Sequence, residues 1–585
     1  MPAHSETLVY QSTYRKAFRD VRKSLSKQSS KHSSKEINVT NEIEQKGLSR
    51  RSFLKNTGLG IAAATTGAGL LAAPQLAAAQ DATGQPNWET APAPIPDSEI
   101  VETIEADVVV VGAGFAGTTA ACSAAENGAK VVVIEKGATW SGRGGGVGVF
   151  TSRMMRDAGI ELNKEEVARE WIEMCGNRSK EALVWLFLNE SGNAMDWWLD
   201  KAEAIGLTGM LWGGNYKGPN YTEYPCYHMF FGGPAAAAGK DPGAELANLM
   251  YDESLKLGVT YYFRSPGDQL VKDGDRVIGV IANTPDGYKR FNASKGVILA
   301  TGDIGGNPDM CAAYAPLALR ANQSDYTPIG QNTGDGHKMG LWAGGAFQDT
   351  PFPTMIHPQA FSWLHYAYLY VNQRGQRFMN EDSWVQGKSL QCLTQPEHPW
   401  AYSIFDAKWP QEVPQTLPTG GGMFWDSFRP YGSEWSPDGD RATIQRYLEA
   451  GDWAWTANSL EELAEKIGVP VEEFMASVAR YNELVEAGQD LDYGKRAELL
   501  FPISEAPFYA LKFGPALLTV VGGLDVDTKL RVLDANQNPV PGLYAVGNVS
   551  GSIYGQDYPI QIPGNSHGRC LTWGYLVGKH IAEVS

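Results

Sequence analysis

Gly112-x-Gly114-x-x-Gly117 is the motif in this chain whose residue types and spacing point most directly to chemistry, and that chemistry is the capture of a dinucleotide. Gly112 allows a tight turn, Gly114 lets the backbone approach a pyrophosphate, and Gly117 lets a helix pack closely on a strand. Glu135, 21 residues past Gly114, can accept hydrogen bonds from ribose hydroxyls. Three elements must position these groups. The β-branched run Val108–Val111 reads as a strand buried on both faces. A small-residue helix over Ala116–Asn127, stopped by Gly128, presents N–H donors and the positive end of its dipole to phosphates. Val131–Glu135 reads as a second buried strand. The three together form a complete βαβ unit.

Later segments extend this unit. Arg276–Asn283, Gly287–Ala293 and Gly296–Gly302 read as a short meander that returns to a buried strand. Pro541–Val546 is another strand, delivered to a turn at Gly547-Asn548, and Pro563–Arg569 opens a last helix over Cys570–Glu583. A dinucleotide domain split in this way between the two ends of a chain resembles the glutathione-reductase type of FAD fold. The six cysteines, Cys122, Cys175, Cys226, Cys311, Cys392 and Cys570, have neither haem-attachment nor iron–sulfur spacing. No His/Cys group has metal-ligand spacing, so no metal is expected. Most of the thiols read as small buried hydrophobes, with disulfides left open.

The first 79 residues read separately. Arg50-Arg51 precedes a weakly apolar run, Gly58–Ala73, and Ala77-Ala-Ala79 offers small residues for cleavage before Gln80. The run is too short and too rich in Gly and Thr to be a comfortable membrane span. This pattern resembles a twin-arginine export signal behind a long, basic, disordered leader, which implies a periplasmic or extracytoplasmic protein folded before export. The leader holds 12 Lys or Arg and 5 Asp or Glu, so the chain's net charge of −17 becomes −24 beyond it. Such an acidic chain is a poor nucleic-acid binder. About 500 residues after the leader suffice for two domains with full cores, and no transmembrane segment is expected there.

Seven ordered segments carry a further resemblance: Lys136–Gly146, Asn332–Gly340, Ile356-His-Pro358, Val371–Glu381, Ala479–Asn482 with Gly488–Lys495, Pro507–Ala510 and Gly522–Asp527. Together they are similar to the soluble fumarate reductase flavoprotein family, which includes urocanate reductases and ketosteroid dehydrogenases. The resemblance implies an α/β fold with a Rossmann-like FAD domain and an inserted α+β capping domain. Its boundaries would be a linker at 80–103, FAD domain at 104–351, cap at 352–517 and FAD domain again at 518–585. FAD would be held by Gly112, Gly114, Ala116, Gly117, Glu135, Lys136, Ser141, Gly142, Gly144, Gly145, Asp335, Gly547, Asn548, Gly564, Asn565 and Ser566. The insert contains Trp363, Trp384, Trp400, Trp409, Trp425, Trp435, Trp453 and Trp455. One or two of these are expected to wall an apolar slot over the flavin.

The chain departs from the family's fumarate enzymes, which clamp two carboxylates with His and Arg. His357 remains. The acid arginine after the Phe-x-Asn-Glu segment is replaced by Asp382–Gly387, the histidine before Gly522-Gly523 by Ala516–Val521, and the carboxylate-binding arginine by Asp557–Pro563. Loss of three of four charged positions argues against fumarate. Gly555-Gln-Asp-Tyr558-Pro resembles the ketosteroid dehydrogenase version of the last segment, where a tyrosine lines the site. That makes Tyr558 the first catalytic candidate, as polariser or proton donor, with His357 and Arg569 behind it. The expected function is reduction of the C=C bond of an α,β-unsaturated carbonyl compound with substantial apolar area. Electrons would come from a separate donor protein or a quinol-linked carrier. The alternatives are a ketosteroid-type dehydrogenase running in the oxidative direction and an FAD-stabilised binding protein without activity.

Overall fold

The computed structural model describes residues 88–584 except 213–216, 219–222, 239–242, 325–329, 359–365, 397–398 and 420–434. The leader with Arg50, Arg51 and Ala77–Ala79, and Trp363 and Trp425, lie outside the described residues.

The βαβ unit is built from β1 (Ile100–Val111), α1 (Phe115–Glu126) and β2 (Val131–Glu135). β1 begins at Ile100, inside the stretch expected as linker, because its first half pairs with the outer part of β3 (Gly287–Leu299). Earlier still, Trp88 is buried and donates to the Tyr314 hydroxyl. The two pieces expected over Gly287–Gly302 are one strand, β3. A register shift between Ala106 and Val108 keeps it continuous past Gly296, whose φ of +154° only glycine takes up readily.

β4 (Thr354–Pro358) leads into the insert, α2 (Val385–Cys392) lies within it, and β5 (Pro515–Val520) leads out. β6 (Pro539–Ala545) and α3 (Asn565–Glu583) complete the chain. The main sheet runs Arg531–Leu533, β6, β3, β1, β2, Thr260–Phe263, parallel except for its first pair. The antiparallel meander Gly267–Asp273, Arg276–Thr284 hangs from β3. Val108 to Val111 and Val131 to Val133 are all buried, as the uninterrupted β-branched runs require.

α3 starts five residues earlier than the sequence suggests. Gly564, at φ +73°, precedes it, and the Asn565 amide donates to Pro559 O (2.9 Å) and Ile562 O (2.7 Å), folding the incoming loop onto the helix start. α1 and α3 then meet at backbone range. A Cβ on Gly574 would lie 2.8 Å from Thr119 Cβ, and one on Gly578 would lie 2.5 Å from Ser123 Cβ. Ser123 Oγ donates to Tyr575 O (2.7 Å).

Residues 369–513 form a second sheet, antiparallel, in the order Leu369–Asn372, Ala401–Phe405, Phe508–Phe513, Ala454–Ala457. Its tryptophans pack mainly among insert residues. Trp400 and Trp453 meet edge to face around Lys512, Trp409 meets Trp435, and Trp455 meets Tyr402. A buried ion network closes its far side. Arg377 forms paired bonds to Glu381 (2.8 Å each) and to Asp490 (3.1 and 2.7 Å), and Lys495 Nζ lies 3.5 Å from Glu381. All six cysteines are free thiols, and only Cys570 is not fully buried.

Gly568 sets the contact of α3 with the Gly-rich segment, since its Cβ would fall 1.8 Å from Gly148 O. Gly568→Ala is expected to lower stability by about 1–3 kcal/mol, the usual cost of overpacking, read as a fall in unfolding midpoint. An unchanged midpoint would show that α3 can shift away.

Candidate active site and dinucleotide cradle

The βαβ glycines meet the requirements of a dinucleotide site one by one. A Cβ on Gly117 would lie 1.9 Å from Gly112 O, so that glycine serves packing. A Cβ on Gly114 would meet nothing within 4 Å, so the space beside it is open to a ligand. Gly114 is also the N-cap of α1, and no side chain caps the helix, which leaves its first N–H groups for an anion. Ala116 stands in that first turn, against Gly547. Glu135 Oε2 accepts from Ala113 N (2.7 Å) and Oε1 from Gly137 N (2.6 Å). These bonds fix the carboxylate beside the turn and leave lone pairs for ribose hydroxyls.

The remaining predicted cofactor residues gather around this point. Lys136 Nζ donates to Asp335 Oδ2 (2.8 Å), Thr333 Oγ1 (3.2 Å) and Gln331 O. Burial works to raise the Asp335 pKa, but Lys136 and Lys338 outweigh it and hold the carboxyl below its ordinary value. Ser141 N donates to Ala113 O (3.1 Å). Cβ atoms on Gly142, Gly144 and Gly145 would lie 2.9 Å from Ala244 Cα, 2.8 Å from His567 Cε1 and 2.5 Å from the Tyr227 hydroxyl. The loop therefore lies flat against these neighbours. From the C-terminal side come Gly547 (φ +71°), Asn548, Gly564, Asn565 and Ser566, at the uncapped start of α3.

A polar chain, whose Arg143, Asp303 and Thr519 half the sequence reading missed, runs through the site. Arg143 donates to Leu518 O (3.1 Å), Asp303 Oδ2 (3.3 Å) and Thr519 Oγ1 (3.3 Å). The Thr519 hydroxyl donates to the fully buried Asp303 and accepts from Asn548 Nδ2 (2.8 Å). Asn548 Oδ1 accepts from Arg569 Nη2 (2.5 Å) and Ser566 Oγ (3.2 Å). Ser566 N donates to the Tyr558 hydroxyl (3.0 Å). For that half the one signal in the sequence was Arg143 itself, a lone cation within Ser141–Gly146.

Two of the three catalytic candidates belong to this chain. Tyr558 is 1% exposed, with its ring 5.4 Å from that of Tyr554, and burial drives its phenol pKa well above the ordinary value. Arg569 is fully buried. It also donates to Ser550 O (3.1 Å) and Val521 O (3.4 Å), and its guanidinium lies 4.8 Å from the Tyr554 ring centroid. These bonds give it a fixed place in the protein interior. His357 stands apart on β4, half-buried opposite Ala516 of β5, with burial pushing its imidazole down to about 4.

α2 joins the two groups. Ser389 Oγ donates to Ile356 O (3.4 Å), beside His357, and Gln386 Nε2 donates to Asp557 Oδ1 (3.3 Å), beside Tyr558. α2 also carries Lys388, buried over the Tyr370 ring with its pKa pushed down by burial to about 7; Asp382, Glu381 and Glu223 work against that shift. The segments Ala516–Val521 and Asp557–Pro563 hold no cation, and Gln561 in the second is fully buried. With its amide oriented to satisfy both ends, Gln561 meets Trp171 N (2.9 Å) and Pro559 O (3.3 Å).

Residues 107–564 match the family described as FAD binding domain. The chain is 28% identical over 494 residues to a fumarate reductase (cytochrome) of Shewanella frigidimarina, covering 82% of this chain and 77% of that protein. It is likewise 28% identical over 519 residues to a vinyl phenol reductase of Lactiplantibacillus plantarum, covering 82% and 97%. Among solved structures, 3-ketosteroid-Δ4-(5α)-dehydrogenase from Rhodococcus jostii shares the fold with a TM-score of 0.64 at 23% identity, covering 84% of this chain and 99% of that one.

Glu135→Ala is expected to weaken FAD retention by about 1.5–3 kcal/mol, the value of a hydrogen bond to a charged group. Flavin release during dilution and gel filtration reads the effect. Retention equal to wild type would remove Glu135 from the cofactor site.

Proposed function

The chain belongs to the FAD binding domain family, and from that premise we propose that it reduces the C=C bond of an α,β-unsaturated carbonyl compound other than fumarate. FAD, when bound, supplies hydride chemistry at the β-carbon. The protein's part is to hold the ligand, exclude water and deliver a proton. Tyr558 is suited to the last task. Its hydroxyl oxygen is held by Ser566 N at the start of α3, so the phenol proton remains for a ligand.

The observation that carries the reading is the commitment of the cations near the site. Arg143 is bonded to Asp303, Thr519 and a carbonyl, and both Nη atoms of Arg569 to Asn548 and two carbonyls, its buried Nε alone finding no acceptor among the described residues. Lys388 is fully buried over the Tyr370 ring, and that burial disfavours its charge. A doubly charged substrate would have to displace these bonds, while an uncharged or singly charged one need not. The likeness to a vinyl phenol reductase over nearly all of that protein's length supports an apolar, unsaturated ligand. On this reading residues 352–517 cap the site, with His357 on the strand that enters the cap.

The decisive measurement is anaerobic reoxidation of the photoreduced protein by a panel of enoates, cinnamates, enone steroids and fumarate. Oxidation by at least one non-fumarate acceptor is expected. Tyr558→Phe should cut that rate by about 10²–10⁴-fold with the flavin spectrum intact. Rapid turnover of fumarate by wild type would overturn the substrate assignment, and a fully active Phe variant would pass the proton-donor role to His357.

The reading extends to location. Arg50-Arg51 and Ala77–Ala79 support twin-arginine export with a mature start near Gln80, outside the cytoplasmic membrane. Electrons would then come from a separate donor protein or a quinol-linked carrier. Replacing both Arg50 and Arg51 by Lys should leave the precursor in the cytoplasm, read by fractionation. Unimpaired export of that variant would refute the route.

A further inference from the structure

Gln386 carries an unusual imbalance. Its side chain is fully buried, its Nε2 donates to Asp557 Oδ1 (3.3 Å), and its Oε1 has no hydrogen-bond partner among the described residues. Native proteins rarely leave a buried amide oxygen unmatched, because it gives up water and gains nothing in exchange. Asp557 beside it is half-buried, and its Oδ1 also accepts from Tyr558 N (2.7 Å). No cation among the described residues pairs with it in an ion bridge, and burial raises its pKa. The Asp557 backbone is anchored by the Cys175 thiol, which donates to Asp557 O (3.1 Å). The two side chains therefore sit where α2 meets the segment that ends in Tyr558. They present hydrogen-bond acceptors, where a dicarboxylate site would present donors.

We propose that Gln386 Oε1, with the Asp557 carboxyl beside it, recognises a hydroxyl group on the ligand. The proposal deepens the reading given under Proposed function and rests on its assignment of the Tyr558 region as the substrate site. A hydroxyl donates one hydrogen bond to Gln386 Oε1, so the buried oxygen is satisfied without a net charge entering the site. An ammonium would also satisfy the oxygen, but carrying a charge into a buried site costs more than carrying in a neutral hydroxyl.

The test uses the oxidised holoprotein and matched ligand pairs, 4-hydroxycinnamate against cinnamate and 4-vinylphenol against styrene. Dissociation constants are read from the perturbed flavin absorbance. Wild type should bind the hydroxylated member of each pair at least tenfold more tightly. In Gln386→Leu the ratio should fall to near one, with affinity for the deoxy ligand kept and FAD content unchanged. Gln386→Glu, which keeps an acceptor, should retain most of the preference. If the Leu variant fails to hold FAD, Asp557→Ala gives the second reading, with an expected drop of severalfold in the same ratio.

A wild-type ratio near one, an unchanged ratio in Gln386→Leu, or tighter binding of 4-aminomethylcinnamate than of 4-hydroxycinnamate would overturn the proposal. Reoxidation of the photoreduced protein by the same ligands separates the two readings. Turnover without hydroxyl preference removes the hydroxyl site and keeps the reductase. Hydroxyl preference without turnover removes the reductase and keeps the site. Absence of any binding removes both.

Discussion

The close approach of α1 and α3 is the constraint on which the rest of the site depends. The two helices are more than 400 residues apart in sequence, yet they meet at Thr119, Ser123, Gly574 and Gly578 with no room for an added carbon. Glycine weakens a helix on its own, so the three glycines in α3, Gly568, Gly574 and Gly578, have to be offset by the packing they allow. That packing brings the start of α1, with its open Gly114, close to the start of α3, with Asn565 and Ser566. Both ends lack a side-chain cap and carry positive dipole ends. A split dinucleotide domain works because β6 pairs with β3 and returns the C-terminal segment to the same edge of the cradle.

The polar chain from Arg143 to Tyr558 then fixes what the site can accept. Each charged group in it already has partners: Asp303 with Arg143, Thr519, Asn332 and Gly305, and Arg569 with Asn548 and two carbonyls. In a buried setting such bonds are expensive to exchange. Ligand selectivity therefore follows less from which charges are present than from which are already used. That is the ground on which we propose ligands with apolar area and neutral polar groups.

Much of the cradle was legible because it obeys local rules. The unbroken valine runs, the glycine spacing and Glu135 each have a reason that can be stated from neighbouring residues alone, and all three fall where expected. The strand start at Ile100 and the single strand Gly287–Leu299 were not legible, since both depend on pairing partners almost 190 residues away. The start of α3 was misplaced for a similar reason. Asn565 and Ser566 look like turn residues until the Pro559 and Ile562 carbonyls are seen to accept from the Asn565 amide. Gln386 and Asp557 lay within segments marked for the cations they lack, and Lys388 gave no signal. Their interest lies in being buried without full compensation, and a sequence does not report burial for a polar residue.

The insert shows how motif conservation within a resemblance can mislead about chemistry. Val371–Glu381 and Gly488–Lys495 were among the segments that made the resemblance specific, and they come together as one ion network of Arg377, Glu381, Asp490 and Lys495. The Arg377 guanidinium also lies 5.2 Å from the Tyr481 ring centroid and 5.1 Å from that of Tyr493. The network faces the interior of the second sheet: Tyr370 N, at its first strand, donates to Glu381 (3.2 Å). Breaking a buried pair by removing one partner leaves an uncompensated charge, which is reason enough for such a set to be kept as a unit. The groups that differ from the fumarate-type pattern lie instead on β5, on α2 and in the segment from Asp557 to Pro563, the three elements that meet beside Tyr558. On the proposed function, the Arg377 network holds the fold of the insert while β5, α2 and the Asp557 segment meet the ligand, so substrate choice would change in these without cost to the network.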